Sequence, residues 1–176
     1  PEASGRDISD IAEEWGCTLK EAAVKLLPAG AIYFQMDEAD VQRILAYPPT
    51  MIGSDGLPHD EHPHPRLWGT FPRVLGHYSR DLGLLPLEAA VHRMSGLPAA
   101  QFGFKDRGVL HQGVFADLVI FDPKTIADGA TFDAPTRPSM GIDRVFVNGA
   151  PVWQQGRPSG ERPGRPIRLG DTSRGG

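Results

Sequence analysis

The sequence predicts an α/β fold followed by a small β unit, and three observations carry that expectation. Amphipathic helix patterns and short apolar runs alternate up to about residue 104. From about residue 107 short β-like runs follow, punctuated by Gly, Asp and Pro, and Asn148-Gly149, a strong hairpin signal, lies between two of them. At 176 residues and 40% apolar content, the chain is long enough for one sizeable core or two small ones.

Ile8, Ile11, Ala12 and Trp15 share one helical face, and Gly16 stops the pattern. Thr18 and Glu21 read as a capping box for a second helix, whose stripe is Leu19, Ala22, Ala23, Leu26 and Leu27 and which Pro28 and Gly30 end. Ala31 to Met36 is an apolar and aromatic run of strand length, fit for burial on both faces. Asp37 can cap the helix that follows, with Val41, Ile44 and Leu45 inside and Pro48-Pro49 at its end. Thr50 to Gly53 then reads as a second buried strand, which completes a right-handed β-α-β unit with parallel strands. Parallel strands end on one edge, so Met36-Asp37 and Ser54-Asp55 are expected on the side where α/β proteins build their sites.

Leu75, Tyr78 and Leu82 suggest a helix from near Phe71 to Gly83, and Leu87, Ala90, Val91 and Met94 a clearer one between Pro86 and Gly96. Gly108 to His111, Phe115 to Asp122, Ile142 to Val147 and Ala150 to Gln154 read as strands. His77, His92, His111, Asp117 and Asn148 are accounted for by packing, turns and strand ends. The tail is rich in Arg, Gly and Pro and reads as loosely ordered. The expected organisation is therefore 1–104 for the α/β part, 105–157 for the β part and 158–176 for a flexible tail.

A formal charge of -4 leaves no electrostatic footprint for nucleic acid, and no apolar run approaches the roughly 18 residues of a membrane helix. A single cysteine, Cys17, allows no intrachain disulfide, and no secretory-type segment opens the chain, so a cytoplasmic location is the expectation. No histidine near Cys17 in sequence would activate its thiol.

The most crowded chemistry lies in Met51-Ile52-Gly53-Ser54-Asp55-Gly56-Leu57-Pro58-His59-Asp60-Glu61-His62-Pro63-His64-Pro65-Arg66. An apolar run stops at a carboxylate, and the following residues gather three histidines, two more acids, three prolines and an arginine. Ser-Asp-Gly is also ordinary turn chemistry, and a prolyl loop offers no helical i, i+4 face on which to aim His59, His62 and His64 at a metal. Ser54 and Asp55 are adjacent, so no Ser-His-Asp triad forms here.

This string, continuing through Leu67-Trp68-Gly69, resembles the segment around the last barrel strand of the D-aminoacylases, the N-acyl-D-amino acid deacylases of the amidohydrolase superfamily. A looser likeness extends through Gly113 to Asp122 and Val147-Asn148-Gly149 to the Arg-Pro-Gly-Arg near residue 165. The resemblance implies the C-terminal part of a (β/α)8 TIM barrel, namely its last two strands, Ala31 to Met36 and Thr50 to Ser54, with their helices, followed by part of a small β-domain. It also implies that Asp55 is the catalytic residue. Beside a zinc ion that acidifies its bound water, such a carboxylate takes a proton as hydroxide attacks the amide and passes it to the leaving nitrogen. The same carboxylate is a possible ligand of a second metal. Arg66, eleven residues on, would bind the substrate carboxylate, which a guanidinium fork suits better than an ammonium.

The family's main zinc ligands, a cysteine and several histidines on earlier strands, have no counterpart here, and a barrel needs about 250 residues. The expectation is thus a C-terminal fragment of a zinc-dependent hydrolase of N-acyl-D-amino acids, inactive alone, whose partner is the missing N-terminal part of the barrel. Unpaired strand edges would otherwise invite association. Two alternatives stand beside it. A dihydroorotase- or hydantoinase-like enzyme would share the Asp55 chemistry, and a non-catalytic binding or assembly module would bind no metal.

Overall fold

The computed structural model describes residues 3–58 and 62–168. Its helices are α1 (Ile8–Glu14), α2 (Leu19–Leu26), α3 (Glu38–Ala46), α4 (Arg66–Arg73), α5 (Leu87–Met94) and α6 (Gly96–Gln101), and a π-helical stretch, Val74–Asp81, continues α4. Four strands follow, β1 (Leu118–Phe121), β2 (Ile142–Val147), β3 (Ala150–Gln154) and β4 (Arg157–Pro158), paired antiparallel in chain order.

Local chemistry explains most boundaries. Gly16 takes φ +60° behind α1, and the Thr18/Glu21 capping box opens α2. Asp37 caps α3 by accepting the Ala39 amide at 2.8 Å. Asn148 at φ 48° and Gly149 at φ 80° form the left-handed turn between β2 and β3.

One core joins the two halves. Val74, Leu75 and Tyr78 of the π-helical stretch pack with Leu85, Ala90 and Ile126, and Val41, Leu45, Ile52, Phe121 and Ile142 close around them. Gly76 permits this approach, because a β-carbon there would stand 2.4 Å from the Ile126 carbonyl oxygen.

Four expectations require correction. Ala31–Met36 and Thr50–Ser54 are not strands: both segments run without helix or strand structure. A strand exists only through a neighbour's N–H and C=O groups. Among the described residues none forms a ladder with either segment, and the Ile52 amide instead donates to the Arg93 carbonyl at 3.1 Å. Burial on both faces fails with them, since Tyr33 is 77% and Phe34 74% exposed. Gly108–His111 is no strand either, because Gly108, at φ +81°, is pressed against Ala99 and the Ser95 carbonyl. The helix expected from Phe71 starts five residues earlier, at Arg66, behind Pro65, and carries Pro72 within it. The tail expected from residue 158 begins inside β4, and the Pro163 carbonyl accepts from Asn148 Nδ2 at 2.7 Å.

Candidate functional site

Asp55 and Arg66 meet, Oδ2 to Nη2, at 2.8 Å. Two local devices bring them together. Gly56 lies against α4 so closely that a β-carbon would stand 2.7 Å from Leu67 Cδ1 and 2.8 Å from its Cα, which sets Asp55 beside Arg66, the neighbour of Leu67. Asp55 itself takes φ 48°, a left-handed conformation that Asp tolerates better than most residues. Its side chain is 79% exposed and that of Arg66 41%, so the pair is open to solvent and contributes little stability. Arg66 Nε is buried with no hydrogen-bond partner among the described residues, so Asp55 does not satisfy the guanidinium fork.

Arg66 is the first residue of α4, where a backbone N–H has no acceptor within the helix. His64 Nδ1 accepts it at 3.0 Å, as a capping side chain would. That bond requires a neutral ring, and burial, followed by the positive charge of Arg66, holds the His64 pKa below its ordinary value against the opposing pull of Asp55.

A distant segment completes the surroundings. Residues 127 and 140 are bridged, Ala127 N to Met140 O at 3.3 Å and Met140 N to Ala127 O at 2.9 Å, and the loop between them reaches back over α4. Pro72 has no N–H to offer the Trp68 carbonyl one turn earlier, and the Ser139 hydroxyl donates to that oxygen instead, at 3.2 Å. Asp128 pairs with Arg73 at 3.2 Å. At the tip, the Phe132 carbonyl bonds His62 Nε2 at 2.7 Å, and the Phe132 ring stands edge-on to His64, at 5.2 Å between centroids, and to Phe34, at 4.7 Å.

The structure thus brings both predicted site residues, Asp55 and Arg66, into contact. His62 and His64 turn to the Phe132 carbonyl and the Arg66 amide; His59 lies outside the described residues. Gly56, His64 and Phe132 were not anticipated as parts of the site. The bond of His64 to a backbone N–H is not announced by its residue type, and nothing local marks Phe132. Among the described residues no three of His, Cys, Asp and Glu converge as a metal would need. Asp55 offers a single carboxylate, and this set does not make a metal centre.

Residues 22–153 match the model of an amidohydrolase family. The chain belongs to the amidohydrolase family. It is 65% identical over 165 residues to a D-aminoacylase of Alcaligenes xylosoxydans xylosoxydans, a match covering 94% of this chain and 34% of that protein. It superposes on a D-aminoacylase crystal structure with a TM-score of 0.88 at 64% identity, over 92% of this chain and 34% of the other. The N-acyl-D-glutamate deacylase of Bordetella bronchiseptica, solved with zinc and a phosphonate mimic of the tetrahedral intermediate, gives 0.86 at 58% identity, over 89% of this chain and 33% of that one. The chain spans about a third of the length of the relatives it matches.

Proposed function

We propose that this chain is the C-terminal part of a metal-dependent hydrolase that cleaves N-acyl-D-amino acids to a carboxylate and a free D-amino acid. The observation that carries the reading is the meeting of Asp55 and Arg66 at 2.8 Å, a proton carrier beside a carboxylate receptor, within a chain 65% identical to a D-aminoacylase. Arg66 engages the substrate carboxylate through the exposed part of its guanidinium, the side chain being 41% exposed. Asp55 accepts a proton from the attacking water and returns it to the amide nitrogen as the C–N bond breaks. Zinc, present in the Bordetella relative, would need its main ligands from outside this chain, with Asp55 adding at most one carboxylate.

The exposed run Ile32, Tyr33, Phe34 and Met36 supports an N-terminal polypeptide that covers it and completes the fold. The chain alone is then inactive. The test is to assay the complete zinc-loaded polypeptide and this chain separately for release of free D-amino acid from N-acetyl-D-amino acids, with dihydroorotate and a hydantoin as competitors for the assignment. Release by the complete form only is the expected result. Turnover of the cyclic amides alone would move the reading to that branch, and no turnover with no bound zinc would leave a binding module.

A further inference from the structure

We propose that Phe132 is a positioning residue for the carboxylate-binding arginine, held in place by the loop between residues 127 and 140 and acting through His64. This rests on the reading of Arg66 given above and adds to it a residue from the far end of the chain.

The loop is built to be stiff. Its neck is closed by the Ala127–Met140 bridge, and a β-carbon on Gly129 would stand 2.2 Å from the Pro138 carbonyl oxygen, so the two sides of the neck are in close contact. The tip is closed in turn by Thr131 and Ala134, whose backbones exchange N–H to carbonyl bonds at 3.2 Å. Asp128 and Ser139 anchor the base to Arg73 and to the Trp68 carbonyl, both on α4. The ends of the loop are therefore fixed on the helix whose first residue is Arg66.

From that base the tip reaches the turn preceding α4. The Phe132 carbonyl bonds His62 Nε2, and its ring stands against His64, whose Nδ1 accepts the Arg66 amide. One residue thus touches both described histidines of the turn, and the second of these fixes the backbone from which the guanidinium projects. Phe34 stands edge-on to the same ring at 4.7 Å between centroids. Among the described residues Phe132 meets His62, His64 and Phe34 and neither Asp55 nor Arg66, so its effect on either passes through the turn. Small misplacements of a binding group are costly, which gives a brace of this kind something to act on.

The test uses the complete zinc-loaded polypeptide and two substrates, an N-acetyl-D-amino acid and its α-carboxamide, which offers Arg66 no carboxylate. Phe132→Ala is expected to raise KM for the acid about tenfold with kcat within about twofold, to leave kcat/KM for the carboxamide within about twofold, and to add nothing once Arg66→Ala is present. Phe132→Tyr should restore the wild-type KM, and Phe132→Leu serves the same comparison if the alanine variant does not fold. Equal losses on both substrates, or full additivity with Arg66→Ala, would overturn the proposal. If Arg66→Ala raises KM and Phe132→Ala is silent, the brace is wrong and the arginine's role stands. If Arg66→Ala is itself silent, or the wild type cleaves neither substrate, the underlying reading fails and the brace fails with it.

Discussion

Gly56 lies against Leu67 with no room for a side chain between them: the nearest atoms to a β-carbon at Gly56 would be Leu67 Cδ1 at 2.7 Å and Leu67 Cα at 2.8 Å. The second of these is backbone and cannot swing aside. Gly56→Ala must therefore push the Asp55 segment off α4. We predict a destabilisation of about 1–3 kcal/mol, read as a lowered denaturation midpoint, with a marked loss of kcat/KM. An alanine variant with wild-type stability and activity would show that the contact is slack.

Asp55 has an exposed carboxylate, and only Arg66 forms an ion pair with it among the described residues. If the complete polypeptide works as proposed, Asp55→Asn should lower kcat by roughly 10²–10⁴-fold and leave KM within a few-fold, because the amide keeps the shape and loses the proposed proton acceptor. Steady-state kinetics decide this. A kcat within tenfold of wild type would assign the proton transfer to another group.

Arg66 is proposed to act in binding, so its variants should separate KM from kcat. Arg66→Ala should raise KM roughly 10–100-fold, and Arg66→Lys should recover only part of that loss, because an ammonium cannot present a planar fork. An unchanged kcat/KM for Arg66→Ala would remove it from the site.

His64 has a folded-state pKa below its ordinary value, first through burial and then through Arg66. Between the two values the unfolded chain binds more protons, so the stability contributed by the neutral ring is complete above the ordinary value of about 6.5 and is lost as the pH falls through the folded pKa. A histidine titration by NMR should show one ring, absent in His64→Asn, with a midpoint below the ordinary value of 6.5. A midpoint above 6.5 for that ring would contradict the capping role.

Arg107 is 8% exposed and holds Asp117 Oδ2 and, at 2.7 Å, Asn148 Oδ1, while the Phe115 ring lies 4.4 Å from its guanidinium carbon. Arg107→Met should cost roughly 2–3 kcal/mol, because Asp117 and Asn148 lose a charged donor beside the β2–β3 turn and the buried Asp106, 4.0 Å from Arg107 Nε, loses its counter-charge. Thermal unfolding of the variant measures it, and a change under about 0.5 kcal/mol would mean that water replaces the arginine without loss.

The parts of this fold that depend on neighbours in sequence were legible. The Thr18/Glu21 box, the Asp37 cap and the Asn148-Gly149 hairpin are each decided within a few residues, and each stands where the sequence put it. Ala31–Met36 has the composition of a strand, but a ladder needs a second strand, and no described segment pairs with it. In the candidate site, Asp55 and Arg66, proposed from a long, specific motif, stand in contact. Gly56 and His64 lie inside that motif, but their roles are close packing and a bond to a backbone N–H, which residue type alone does not announce. Phe132 was invisible, since its partner His62 is 70 positions away.

That separation bears on synthesis as well as on the finished molecule. A ribosome that has made Arg66 has not yet made the ring that braces the turn before it, and closing so long a loop carries an entropic cost that local helix formation does not. The helices can form while the chain is still growing, but the arginine can acquire its final aim only after residue 132 has left the exit tunnel.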